Sequence, residues 1–155
     1  PNNDIGSNEM IFELNKLNDI GNKNIKLFKS LGRYTYHSLL SLAKNREFKV
    51  VCVGNSSSGI KETPAFGCPT VNIGSRQNAR LRAKNVIDTE YNREEITKAI
   101  YKCFENDEFR NAAFNCKNPY GIGNTGKKIT EIIDKTQLNK NILRKKHPLL
   151  KQDRK

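Results

Sequence analysis

No apolar run in these 155 residues approaches the length that spans a membrane, and the opening PNNDIGS lacks the charged-then-apolar pattern of a secretory signal. The four cysteines, Cys52, Cys68, Cys103 and Cys116, contain no CxxC pair and no zinc spacing. Neither a disulfide framework nor a metal site follows from them, and they read as buried or incidental thiols of a cytoplasmic protein. Histidine is scarce: only His37 and His147 occur, and neither has an obvious acid-bearing loop to complete a catalytic triad. Both read as surface or helix-face residues. No repeat is visible, and nothing calls for a cofactor.

What the chain does have is positive charge. The net charge is +12 with a mean hydropathy of −0.74, and residues 137–155 hold seven Lys/Arg against one Asp, or +6 of that total. Such a tail raises nucleic acid or an anionic membrane surface as partners. It has no interleaved aromatics, and no nucleic-acid motif appears elsewhere, so it reads as a solvated end and neither partner is expected. The length suits one domain with a real core.

The chain is organised around residues 48–76, FKVVCVGNSSSGIKETPAFGCPTVNIGSR. Val50 to Val53 form a short apolar run, followed by a turn of small residues from Gly54 to Gly59. A helical stretch over 60–66 stops at Gly67, and a second apolar run covers 69–73. Short β-branched runs bounded by Gly and Pro read as buried parallel strands, so this is a βαβ unit. Ligands of such sheets bind beyond the carboxyl ends of the strands, where this chain places its polar turns.

The flanks alternate in the same manner. Helices are expected over 8–19 with Ser7 as N-cap, over 35–44, over 93–104, as a short turn near 107–113, and over 127–135. Strands are expected near Ile25 to Phe28 and over 85–88. The class is therefore α/β with a mainly parallel, Rossmann-like sheet. Such a domain normally begins with a strand and its phosphate-facing turn, whereas this chain opens after them. The sheet is expected to be incomplete and the chain to be a fragment, with a nucleotide-binding domain over 1–136 and a basic tail over 137–155.

Three motifs fail, two on spacing and one on context. Gly54 to Lys61 nearly makes a P-loop, but the lysine stands one place late, about 100° around the helix, and no hydroxyl follows it. Gly54, Ser56 and Ser58 miss the last glycine of a nucleophile elbow by one position. Residues 121–126, GIGNTG, fit GxGxxG, yet no strand precedes them and no acid follows about 20 positions on. That stretch reads as a glycine loop ahead of a helix.

Glu62 is better placed. It lies four residues after Ser58, so both project from one helix face, and a carboxylate one turn from a phosphate site suits a ribose hydroxyl pair. Arg76, at the end of the next strand, can offer a forked donor to a phosphate in the same crevice. Together they point to a nucleotide-diphosphate site.

The stretch GNSSSGIKETPAFGCPTVNIGSRQNARLRAKNVID resembles the C-terminal half of the hydrolysing UDP-N-acetylglucosamine 2-epimerases of sialic-acid-type sugar biosynthesis. PNNDIGS, NIKLFKSLGR and NPYGIGNTGKKITEII resemble that family in the same order, so the likeness covers about 1–135. It implies the C-terminal domain of a glycosyltransferase-B-type two-domain fold. It further implies that Ser56 and Ser57 hold the UDP diphosphate, Glu62 the ribose and Arg76 the charged end of the nucleotide. Asn2 would face the nucleotide, and the loop around Leu31 would border the uracil. The implied reaction eliminates UDP from UDP-N-acetylglucosamine and adds water to give N-acetylmannosamine, in a homo-oligomer without a metal or cofactor. Its catalytic groups would lie mainly N-terminal to this chain, and the chain alone would not turn over. One departure stands out: the family carries glycine where this chain has Ala79. The alternatives are a glycosyltransferase-B-type enzyme of another specificity, or a basic, non-enzymatic binding module.

Overall fold

Among the described residues, three short strands, rich in valine, isoleucine and threonine, make the sheet: β1 (Cys52–Gly54), β2 (Thr70–Ile73) and β3 (Val86–Thr89). They run parallel in the order β1-β2-β3, with Cys52 opposite Thr70 and Thr70 opposite Val86. The computed structural model describes residues 6–140 and Ile142. Its helices are α1 (Ser7–Asp19), α2 (Gly32–Ser41), α3 (Ser58–Lys61), α4 (Arg93–Glu105), α5 (Asp107–Phe114) and α6 (Thr125–Lys135). The class is α/β with a parallel sheet. The chain divides into two units between Tyr120 and Gly121.

In the first unit, successive residues of β2 face opposite sides of the sheet, and each side has its own cover. Val71 is fully buried against Ala99 and Cys103 of α4, with Val51, Ile73, Ile87, Ile100 and Phe109 packed around them. On the other side Thr70 faces α3, which approaches so closely that a Cβ on Gly59 would stand 3.1 Å from Cγ2 of Thr70. Buried polar groups tie α3 down. The Thr63 hydroxyl donates to the Gly59 carbonyl (2.7 Å) and accepts from Thr70 Oγ1 (2.8 Å) and Asn85 Nδ2 (2.9 Å). Asn85 also donates to the Cys68 carbonyl. Burial pushes the Cys68 thiol up to about 12 and the Cys103 thiol up to about 11, so both stay protonated at neutral pH.

Several boundaries differ from the sequence reading. No strand forms near Ile25 to Phe28; Ile25 instead closes a turn onto Asn22, and Phe28 stays exposed. Lysines at 26 and 29 interrupt that short run, and two or three apolar residues without a neighbouring strand leave their amides and carbonyls to water. Helix α1 already includes Ser7, because the carbonyl of Gly6 accepts from Met10 and takes the capping position. Helix α2 starts at Gly32, three residues ahead of the expected start, and tightens into a 3-10 turn over Leu42–Lys44. The central helix begins at Ser58, not Ile60, and passes into a 3-10 turn over Thr63–Phe66. Pro64 lacks the amide that would bond back to Ile60, so the α-helix cannot continue through it. The short helical turn expected near 107–113 is a regular α-helix that runs one residue further, to Phe114, and Asn106 caps it by accepting from the amide of Phe109.

In the second unit, the 121–126 motif leads into α6 with no strand ahead of it. Gly121 and Gly123 carry positive φ, as in a glycine loop. Helix α6 has an apolar face of Ile129, Ile132 and Ile133, all exposed.

Candidate functional site

The GNSSSG turn folds as its small residues dictate. Gly54 ends β1 at φ 146°, and the first helical hydrogen bonds run from Gly59 to the Ser56 carbonyl and from Ile60 to the Ser57 carbonyl. The amides of Ser56 and Ser57 therefore lie ahead of the helix's own bonding pattern. The amide of Ser58 meets Ser56 Oγ at 3.3 Å. Glu62 follows one turn after Ser58, as the spacing predicts, and its amide bonds to the Ser58 carbonyl.

These residues border an open cleft of about 1130 Å³ at the carboxyl end of β1. That is somewhat above the range of most small-ligand pockets, roughly 300–1,000 Å³, as suits a cleft open to solvent. Leu31, Ser56, Ser58 and Glu62 line it, and Lys29 and Arg33 stand on either side of Leu31. Glu62 is the one carboxylate among the lining residues, so the cleft combines a single acceptor pair with two flanking cations.

Leu31, Ser56 and Glu62 thus come together from α2's approach, the turn after β1 and the end of α3. Ser57 is half-buried beside them without lining the cleft. Arg76 reaches the same turn by a different route: its guanidinium donates to the Asn55 carbonyl at 3.2 Å. Gln77, fully buried, donates to that carbonyl at 2.7 Å, so the segment after β2 holds the serine turn from behind. Asn2 lies outside the described residues, as does His147. The rejected P-loop lysine behaves as its offset requires, with Lys61 Nζ 5.7 Å over the ring of Tyr120.

Two further residues that line the cleft, Tyr36 and His37, escaped the sequence reading. Tyr36 Oη and Ser58 Oγ are 2.6 Å apart, and His37 Nε2 lies 2.8 Å from Glu62 Oε2. His37 is a helix-face residue, yet it does have an acid partner, supplied from 25 positions away. The only local signal is that the two residues are adjacent on a helix, as Ser58 and Glu62 are one turn apart. Burial is the largest influence on Tyr36 and pushes its phenol up to about 12, which the Ser58 bond only partly offsets. Burial also raises the Cys52 thiol. Neither group is an anion at neutral pH, so the cleft holds no thiolate nucleophile.

The family model described as UDP-N-acetylglucosamine 2-epimerase matches residues 1–134. The chain belongs to this family. Among its relatives is the GDP/UDP-N,N'-diacetylbacillosamine 2-epimerase (hydrolyzing) of Campylobacter jejuni, 46% identical over 85 residues, which cover 55% of this chain and 20% of that protein. The UDP-N-acetylglucosamine 2-epimerase of Neisseria meningitidis is 38% identical over 100 residues, 64% of this chain and 24% of that one. The UDP-N,N'-diacetylbacillosamine 2-epimerase (hydrolyzing) of Legionella pneumophila is 31% identical over 148 residues, 94% of this chain and 35% of that one. The chain therefore spans about a third or less of these epimerases. Among the described residues, no helix is long and apolar enough to cross a membrane.

Proposed function

We propose that these residues form the UDP-binding part of a hydrolysing UDP-sugar 2-epimerase. Ser56 and Ser57 would hold the diphosphate, with Arg76 at the nucleotide's charged end and Glu62 on the ribose hydroxyls. Asn2 and the backbone near Leu31 would complete the nucleotide pocket. The observation that carries the reading is the cleft itself. One carboxylate enters it a single helical turn after a serine turn whose leading amides are free of the helix's own bonds.

In the reaction, the C2 proton and UDP leave UDP-N-acetylglucosamine to give a glycal. Water then adds across its double bond to give N-acetylmannosamine. That chemistry needs a base near C2, an acid and an activated water, which this reading assigns to the rest of the full-length protein. The enzyme is taken as cytoplasmic and homo-oligomeric. The names of two relatives favour a second substrate reading, a UDP-linked diacetamido sugar.

Calorimetric titration of the full-length protein with UDP tests the site. Glu62→Ala and Arg76→Ala should each weaken saturable binding at least several-fold. UDP release assayed on both UDP-sugars then identifies the substrate. Wild-type affinity in both variants would remove the central turn from the nucleotide site. UDP release by the 155-residue chain alone would show that the catalytic groups have been assigned to the wrong part of the protein.

A further inference from the structure

The His37–Glu62 pair is the contact at this site that the nucleotide reading leaves unused. Its geometry is specific. Tyr36 and His37 are consecutive on α2, while Ser58 and Glu62 stand one turn apart around α3. Each member of the first pair meets one member of the second, at 2.6 Å and 2.8 Å. The His37 ring is itself braced, with its centroid 5.1 Å from that of Phe66 and 6.0 Å from that of Tyr36. The imidazole therefore cannot turn away without losing two ring contacts.

We propose that His37 is a positioning residue that fixes the Glu62 carboxylate for a vicinal diol of the bound nucleotide. This rests on the nucleotide reading above. A carboxylate accepts and does not donate, so the imidazole Nε2 carries the proton of this bond. A glutamate side chain samples three torsions, and Glu62 is open to solvent on its cleft side, its side chain 43% exposed. Unheld, it pays ordering entropy whenever it grips a ligand. The His37 bond selects one arrangement in advance.

The bond also leaves enough of the carboxylate available. His37 occupies one acceptor direction on Oε2, and Oε1 has no hydrogen-bond partner among the described residues. A carboxylate offers about four lone-pair directions, so three remain, sufficient for two neighbouring hydroxyls. A diol presents two donors a fixed distance apart and therefore rewards a carboxylate held in one orientation. A lone hydroxyl rewards it less, and a deoxy sugar not at all.

The test compares UDP with 2′,3′-dideoxy-UDP by calorimetry on the full-length protein. His37→Leu keeps the apolar contact with Phe66 and removes the donor. It should weaken UDP binding about 3- to 10-fold, the range for loss of one hydrogen bond, and leave the dideoxy nucleotide unchanged. His37→Gln, whose amide nitrogen reaches as far as Nε2, should restore the preference for UDP. His37→Asn, one methylene shorter, should not. Equal losses for both nucleotides in His37→Leu would overturn the proposal by making His37 a support of the fold alone. So would unchanged UDP affinity in a protein where Glu62→Ala is impaired, a result that leaves the ribose role of Glu62 standing. A wild-type protein that binds both nucleotides equally would overturn the ribose role itself, and this proposal with it.

Discussion

Thr63 is fully buried, and its one hydroxyl makes three hydrogen bonds: to the carbonyl of Gly59, and from the side chains of Thr70 and Asn85. Thr63→Val preserves the shape and strips all three. The Gly59 carbonyl then loses its side-chain partner, and Thr70 keeps only a long contact to the Cys68 carbonyl. Leaving such groups unpaired in a closed site costs about 1–3 kcal/mol, which chemical denaturation of the variant should register. A loss under about 0.5 kcal/mol would mean that water reaches these groups. Ala79 offers the opposite case. It stands at φ 63°, a left-handed backbone that costs an alanine roughly 1–2 kcal/mol. It is held there by Arg82, which donates to the carbonyls of Gln77 and Arg80 on either side and pairs with Asp88. The glycine that the resemblance places at this point would take the same conformation without that strain. Ala79→Gly gives up about 0.4–1 kcal/mol in the unfolded chain, so a net gain of about 0.5–1 kcal/mol is expected in the same measurement. A lowered midpoint would show that the alanine is unstrained.

At the scale of elements, what the sequence disclosed was whatever local chemistry controls. The strands of the βαβ unit, the serine turn and the Ser58–Glu62 spacing could all be read, because glycine, proline and a four-residue interval fix them within a few positions. The strand near Ile25 could not be judged in the same way. An apolar pair becomes a strand only beside another strand, and that neighbour is a property of the fold. Tyr36 and His37 were missed for the same reason, since their partners lie 22 and 25 residues away and nothing adjacent marks them. Asn106 sits between these extremes. It ends α4 and begins α5, its backbone amide bonding back to the Lys102 carbonyl and its side chain accepting from Phe109 at 2.7 Å. Asn-Asp-Glu is a readable helix start, and the stretch expected over 107–113 falls one residue short of α5. Asn106→Ala should cost about 1 kcal/mol through loss of the cap and lower the helicity measured by circular dichroism. Asn106→Asp, which retains the acceptor, should not.

For the whole molecule, the open question is what its charge is for. Half of the net +12 sits in residues 137–155, and the cleft carries only Lys29 and Arg33 beside its single carboxylate. Those two facts predict different salt behaviour. A polyanion that engages the tail and neighbouring lysines would make many phosphate contacts. With six or more, its affinity falls about 10³-fold or further between 50 and 200 mM salt. A nucleoside diphosphate in the cleft meets two or three cations and releases no condensed counterions, so screening weakens it by less than about 10-fold over that range. Titrating the full-length protein with UDP and with a single-stranded polynucleotide across these concentrations separates the two. The epimerase reading expects saturable, salt-tolerant UDP binding that Glu62→Ala weakens, and polynucleotide binding that is weak at 200 mM. Tight polynucleotide binding at 200 mM, lost when residues 137–155 are removed, would instead make the positive charge a binding surface in its own right.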